Sequence, residues 1–467
     1  MTANYHSSIY TIHSMYMLSL FTQRYFRLSY ISYFFIGYYN HNVKRKLMNT
    51  FVPKIDRLAG MWCYCTDFDG ICGSIKQDNE GFRVSEIIYE SVFDDLSPVQ
   101  DSFHKYPLYI LEKRGIDSHH ALLEIRRDLG FKLKVIGMKD AKAITRQYAT
   151  STQIDNTQKQ QANKTRRILL TLIGYTKRPL GRDSLCGNDF SITIYNSKSS
   201  DLSTSKSEIE NIANFYGLQR FGSERLVTHL VGKEIVKRNF KKAAELLLSY
   251  TTEYDSAKSK EIREKSLDPK NYPNILKHLP TGMDIEYQVM NALVNGKEPI
   301  SALRSISVNI RRLFVHAYQA YIFNRCLSNA IVNGENILKG NSGDLCFEIE
   351  APLVFGKIRK FNPNTDLNSK VIPAIRLVGY AFQPSKGRFE IITKKIMDEE
   401  GVTARDFYIK EMQELSTPGG FRQAPLCCRD FSYKGRLVLS FKLPKGSYAT
   451  TLLREIMKPK DPIKSGF

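Results

Sequence analysis

The sequence predicts a mixed α/β protein in which a sheet-forming domain is interrupted by an inserted one, and three observations carry that prediction. Apolar residues alternate at several places between Phe82 and Ile194 and again between Leu437 and Leu443, as half-buried strands do. Helical periodicity dominates much of the chain between them. A length of 467 residues suggests two or three domains of ordinary size. With 42% apolar and 25% charged residues, the composition is that of a folding chain, far from the signature of disorder.

Residues 1–47 are rich in Tyr, Phe, Ser, Ile and Met, but Arg and polar residues interrupt the run before the roughly 20 apolar residues that a membrane span needs. Neither a basic start nor a small-residue cleavage site marks a targeting peptide. We expect an upstream extension outside the core, with Met48 as the true start. Phe82, Val84 and Ile87 then suggest one strand, and Tyr106, Leu108 and Ile110 the apolar face of another. Asp117 or Ser118 can cap a helix carrying Ala121, Leu122, Ile125 and Leu129 on one face and stopped by Gly130. A short strand, Val135–Gly137, leads straight into Lys139 and Asp140, which puts a carboxylate where a rigid scaffold presents chemistry.

Further strands are expected from Arg167 to Ile173 and through Phe190, Ile192 and Ile194. Ser199–Ser207 reads as a loop, after which Ser207 and Glu210 have capping-box spacing for a helix through Ala213. Helical segments follow from Leu226 to Asn239 and Phe240 to Tyr250, with a highly charged stretch near 253–275. An amphipathic helix covers Ser307 to Ile331, and a Gly- and Pro-rich region extends to about Pro425. Leu437, Leu439, Phe441 and Leu443 form the last strand before a helix. The expected division is an extension at 1–47, a sheet domain at 48–239 and 427–467, and an insert at 240–426.

Charge and cysteine usage narrow the partners. The 68 Lys and Arg against 47 Asp and Glu give a net charge of +21, a field that attracts polyanions. Nucleic acid leads; a membrane surface is disfavoured because the cations are dispersed rather than gathered beside an apolar segment. Cys63, Cys65, Cys72, Cys186, Cys326, Cys346, Cys427 and Cys428 form no regular framework, which suits reduced thiols in the cytoplasm. Cys63, Cys65 and Cys72 lack paired C-x2-C spacing and a following His at zinc-site distance, so no metal is expected.

Four segments carry a resemblance. The first is Gly137-Met138-Lys139-Asp140-Ala141-Lys142-Ala143-Ile144-Thr145-Arg146-Gln147 and the second Asn214-Phe215-Tyr216-Gly217-Leu218-Gln219-Arg220-Phe221-Gly222. The third is Leu443-Pro444-Lys445-Gly446-Ser447-Tyr448-Ala449-Thr450, followed by Arg454-Glu455; the fourth is Lys76, six residues ahead of Phe82, in a segment running to Glu86. In this order and over most of residues 61–458 they resemble the TruD family of pseudouridine synthases. Any one alone could be a packing motif. Tyr216 and Tyr448 stand where some relatives have Phe, and Gly81 replaces the commoner Asp before Phe82.

The resemblance implies a mixed, largely antiparallel sheet in the catalytic domain, a family-specific inserted α/β domain, and a basic cleft between the two. It also implies isomerisation of a uridine of tRNA to pseudouridine, most often uridine 13 of the D arm, with uridine 35 of a precursor tRNA as the alternative. Asp140 is then the catalytic carboxylate, acting at C1′ as nucleophile or as base in a glycal route. Lys76 is its cationic partner, opposing the rise in pKa that desolvation brings to a carboxylate. Tyr216 and Tyr448 are candidates for stacking on the flipped base, because stacking tolerates rotation. Asn214 offers an amide to the uracil edge or to the Asp140 loop, and Lys139 could meet phosphate. Gln219, Arg220 and Phe221 are expected to hold the motif loop in shape. Arg454 and Glu455 suit either a phosphate at the helix start or an internal ion pair. The reaction needs no cofactor, and a monomer without an obligate protein partner is expected.

Overall fold

The computed structural model describes residues 51–467 apart from 131, 152–162, 165–166, 199–201, 203–205, 210, 367–369 and 436. The chain divides into units 1–48 and 49–467, and the expected extension with Met48 lies outside the described residues.

The first part supplies β1 (Phe82–Ile88), β2 (Tyr106–Arg114), β3 (Leu133–Val135), β4 (Ile144–Ser151), β5 (Asn163–Lys164), β6 (Ile168–Thr176) and β7 (Leu185–Thr193). The middle supplies β8 (Asn211–Ala213), β9 (Leu345–Ala351), β10 (Val354–Lys360), β11 (Val371–Leu377), β12 (Gly420–Gln423) and β13 (Pro425–Cys427). With β14 (Arg429–Lys434) and β15 (Val438–Pro444) a nine-stranded sheet forms in the order β14-β15-β7-β1-β4-β2-β6-β5, β3 pairing with β4. Among the described residues of that sheet only β1 and β4 pair in parallel, Arg83 opposite Ile144 and Ser85 opposite Arg146; the other ladders are antiparallel. This is the mixed, largely antiparallel sheet expected. Its core forms where Phe82, Val84, Phe190, Ile192, Leu439 and Phe441 meet Leu452, Leu453 and Ile456 of the closing helix Ala449–Met457.

The helix Ser118–Leu129 starts and stops as expected: the Asp117 carboxylate accepts from the His119 and His120 amides, and Gly130 takes φ +76 at the C-cap. Strand β2 departs from expectation. Tyr109, Leu111 and Lys113 are its buried alternation, while Tyr106 and Ile110 are half-buried, because the register against β6 shifts between Leu108 and Tyr109 and Leu108 is buried as well.

The helix expected through Ala213 is also corrected. Lys206–Ile209 is one short turn, and Asn211–Ala213 leaves it to pair with Pro425–Cys427, so tertiary pairing overrides the local helical pattern; the Ser207–Glu210 capping box falls outside the described residues. The Gly- and Pro-rich stretch before Pro425 likewise holds structure, a four-stranded sheet ordered β10-β9-β11-β12 and the helix Arg388–Glu400.

At the centre of the helical half runs Val308–Val332, which buries Arg311, Gln319 and Asn324 along with Phe314, Tyr318, Phe323 and Leu327, and so is covered on more than one face. The helix Thr228–Val236 crosses it at Gly232, where any Cβ would collide with the Phe314 carbonyl. The apolar cluster around this crossing reaches back to Ile55, Ala59 and Met61 and forward to Ala424.

Candidate active site

The parallel pair explains why Lys76 and Asp140 meet although sixty-odd residues separate them. Side by side and pointing the same way in the middle of the sheet, β1 and β4 start at the same end of it, so the segments leading into them converge there. Lys76, in the left-handed region at φ +55, precedes β1, and Asp140 precedes β4. The Lys76 ammonium stands 3.9 Å from Oδ2 of Asp140, with side-chain exposures of 17% and 48%. Burial lowers the Lys76 pKa; Asp140 opposes that shift and nearby Lys142 adds to it.

Buried polar side chains fix the Asp140 loop. Lys113 of β2, buried, donates to the carbonyls of Ile116 (2.7 Å), Asp140 (2.9 Å) and Lys139 (3.3 Å). Burial pushes its pKa down to about 8. Gln147 donates to the Gly137 carbonyl at 2.6 Å and accepts from Ser118 Oγ at 2.7 Å, while the Lys139 amide donates to Ser118 Oγ at 2.9 Å. The spacing of Gly137, Asp140 and Gln147 in the motif is thus the geometry of one pinned turn. Lys139 does not reach outward for phosphate: it pairs with Glu86 at 3.1 Å and donates to Asn188 at 2.7 Å.

Gln219 belongs to this centre and was missed as a site residue. It sits on the 3-10 turn Leu218–Phe221, and its amide donates to Oδ1 of Asp140 at 2.8 Å. The next residue, Arg220, donates to the Tyr448 hydroxyl at 3.1 Å and lies 5.5 Å from the Tyr216 ring centre.

Tyr216 and Tyr448 come together as expected, 6.0 Å apart and inclined at 63°. Behind them stands Arg422, which sequence reasoning overlooked. Its guanidinium lies 4.0 Å from the Tyr216 ring centre and donates to the Asn214 carbonyl (3.0 Å), Asn214 Oδ1 (2.8 Å) and Gly446 carbonyl (2.7 Å). No carboxylate pairs with it among the described residues, and burial lowers its pKa. Asn214 therefore sits behind the rings: it is 1% exposed, and its amide is taken up by Arg422, Ser447 and the Gln423 carbonyl. Asn324 of the long helix grips the Tyr216 backbone from both sides, accepting its N–H at 2.8 Å and donating to its carbonyl at 3.0 Å.

A cavity of about 270 Å³ opens beside Asp140, walled by Lys76, Lys142, Gln219, Gly217, Thr450 and Arg454. Lys76 and Asp140 line it directly, whereas Tyr216 and Tyr448 do not; Gly217, next to Tyr216, and Thr450, two residues past Tyr448, do. Of the two readings of Arg454 and Glu455, the internal one holds. Arg454 pairs with buried Asp56 at 2.6 Å, and Glu455 accepts from the Cys65 amide and the Thr66 hydroxyl.

A carboxylate and a lysine ahead of two parallel strands, within an otherwise antiparallel sheet and beside paired aromatic rings, are the arrangement that the resemblance to the pseudouridine synthase class implies. Comparison with known proteins narrows this. The family described as tRNA pseudouridine synthase D (TruD) matches residues 58–456. A protein of Methanococcoides burtonii, described as a probable tRNA pseudouridine synthase D, is 30% identical over 88% of this chain and 99% of its own. One of Methanosarcina acetivorans, with the same description, is 32% identical over 88% and 98%, and one of Pyrococcus furiosus 31% over 85% and 98%. A crystal structure of a Methanosarcina mazei protein assigned to TruD superposes with a TM-score of 0.71 at 30% identity, covering 88% of this chain and 99% of that one. The chain belongs to the TruD family.

Proposed function

We propose that this chain isomerises a uridine of tRNA to pseudouridine, with Asp140 as the reacting carboxylate. The observation that carries this reading is the Lys76–Asp140 pair at the wall of a cavity large enough for a pyrimidine. In the reaction the N1–C1′ bond breaks with its electron pair going to uracil, the ring turns, C5 bonds to C1′, and the proton on C5 is lost as N1 gains one. Nothing is oxidised and nothing departs. An anionic oxygen beside C1′ serves as nucleophile there, or as base in a glycal route, and opposes the positive charge that develops at the anomeric carbon. Asp56 also lines the cavity but is tied up with Arg454, so among the described residues no second free carboxylate side chain lines it, as a hydrolytic glycosidase would require.

The target base must leave its stack to reach Asp140, and a turning ring is held better by aromatic faces than by directed hydrogen bonds. Tyr216 and Tyr448 are assigned that role, with Lys76 supporting Asp140. Asn214 acts through Arg422 in setting the rings. Uridine 13 of the D arm is the proposed position, and uridine 35 of a precursor tRNA the alternative. The division into a catalytic domain, 48–239 with 427–467, and an insert, 240–426, belongs to this proposal. What supports it is that the nine-stranded sheet draws strands only from either side of the middle segment. A monomer working in the cytoplasm, without cofactor or protein partner, completes the proposal; among the described residues no helix is long and apolar enough to cross a membrane.

The test is to sequence pseudouridines in tRNA incubated with the wild type and with Asp140→Asn. The wild type should convert one mapped position. The variant should form no product while binding tRNA with similar affinity, since phosphate contacts carry most of the binding. Conversion by the variant at a rate near wild type would remove Asp140 from the role.

A further inference from the structure

We propose that Gln219 is a positioning residue for the reaction, tying down Oδ1 of Asp140 so that Oδ2 alone is presented to the nucleotide. This deepens the functional reading above and rests on it. The two carboxylate oxygens have different surroundings: Oδ1 accepts the Gln219 amide at 2.8 Å, whereas Oδ2 faces the Lys76 ammonium at 3.9 Å, beyond hydrogen-bond reach. Lys76 supplies charge to Oδ2 without holding it in place.

The need for a tether follows from how the two segments are fixed. Lys113 secures the Asp140 backbone, and Asn324 secures Tyr216 at the entry to the Gln219 turn. Neither fixes the rotation of the Asp140 carboxylate, whose terminal torsion is intrinsically broad and which is about half exposed. The contact with Gln219 supplies that constraint. A neutral amide does so without adding charge to a site that already faces Lys76 ahead of β1, Lys113 on β2 and Lys142 on the same loop. Because Arg220 follows directly and holds the Tyr448 hydroxyl, one short turn sets both the carboxylate and an aromatic ring.

Gln219→Glu separates this role from a purely structural one. The variant keeps the shape but places an oxygen where the donor was, and two carboxylates that close share a proton. At alkaline pH they repel, and Asp140 swings away. As pH falls, a proton on the pair restores a donor to Oδ1. The ratio of variant to wild-type kcat should therefore rise by roughly tenfold or more between pH 8 and pH 5.5. Gln219→Ala should lower kcat by about 10–100-fold at every pH, with KM for tRNA changed by less than about threefold, as expected for lost orientation. Both variants should melt near the wild type, since Gln219 is exposed.

The substrate is the tRNA transcript whose converted position sequencing has mapped, and the readout is pseudouridine formed per minute. A variant-to-wild-type ratio flat in pH, or wild-type kcat in Gln219→Ala, overturns the assignment and leaves the functional reading standing. Absence of pseudouridine with the wild-type enzyme overturns the functional reading and this inference together.

Discussion

Replacing Arg422 with Met tests whether a buried arginine without a carboxylate serves the site or only the core. Met keeps the apolar stem and removes the guanidinium, so the Asn214 carbonyl, Asn214 Oδ1 and the Gly446 carbonyl lose their donors at 3.0, 2.8 and 2.7 Å. Asn214 Oδ1 keeps the Ser447 hydroxyl and Gly446 is exposed, so the Asn214 carbonyl alone is left buried without this donor, at a cost of about 1–3 kcal/mol. Against that, the burial cost of the unpaired charge, of the order of several kcal/mol, is recovered. The two roughly offset, so stability should change by no more than about 2 kcal/mol, leaving a folded protein. Activity should suffer more than stability, because the same guanidinium backs Tyr216 and joins the Asn214 and Gly446 loops; a ring displaced by about 1 Å costs on the order of 100-fold in kcat. Urea melts give the first quantity and single-turnover conversion of tRNA the second. A Met variant that retains wild-type kcat would refute the view that Arg422 sets the rings.

Two other outcomes are expected. Lys142 is exposed at the cavity wall, so Lys142→Gln should weaken tRNA binding and lower the slope of log affinity against log salt by about one phosphate contact, with kcat little changed; an unaltered slope would take Lys142 off the RNA. His229 is 4% exposed, and burial, with Lys233 adding, pushes its pKa down to about 3. The folded state keeps it neutral while the unfolded chain takes up a proton near pH 6.5, so stability should fall by up to about 1.4 kcal/mol per pH unit as pH drops from 6.5 toward 3. His229→Phe, which can keep the packing against Tyr321, should flatten the urea-melt midpoints over that window relative to wild type. Equal slopes would show that other groups govern it.

Much of the central sheet was legible because its strands alternate cleanly, as Phe190, Ile192 and Ile194 do, and because Asp117 and Gly130 mark helix ends by local chemistry. Residues 345–423 were not. There Phe347 and Ile349 do alternate with Glu348 and Glu350 in β9, but the run is short, and β10, with Lys357, Ile358 and Arg359 half-buried or exposed, shows no such pattern among the Gly and Pro around it. The meeting of Lys76 with Asp140 depends on β1 and β4 being neighbours, a long-range fact that no local pattern encodes; only the family resemblance put the two together. The amides were the hardest to rank. Asn214 and Gln219 offer the same donor and acceptor, and only their placement, one inside against Arg422 and the other out on Asp140, tells them apart.

The position of β15 bears on how the protein is made. It lies between β14 and β7, so the edge of β7 stays unpaired while the whole middle of the chain is being synthesised. Pairings over such a distance are slow to form, and an open strand edge invites association with other chains. The Asp56–Arg454 pair, 398 residues apart, can close only after that wait. A ribosome stalled before Val438 would therefore carry Lys76, Asp140 and Gln219 already made but without Tyr448, and with β7 open to chaperones or to neighbouring nascent chains. For this molecule the completion of the site and the sealing of the β7 edge are the same late event.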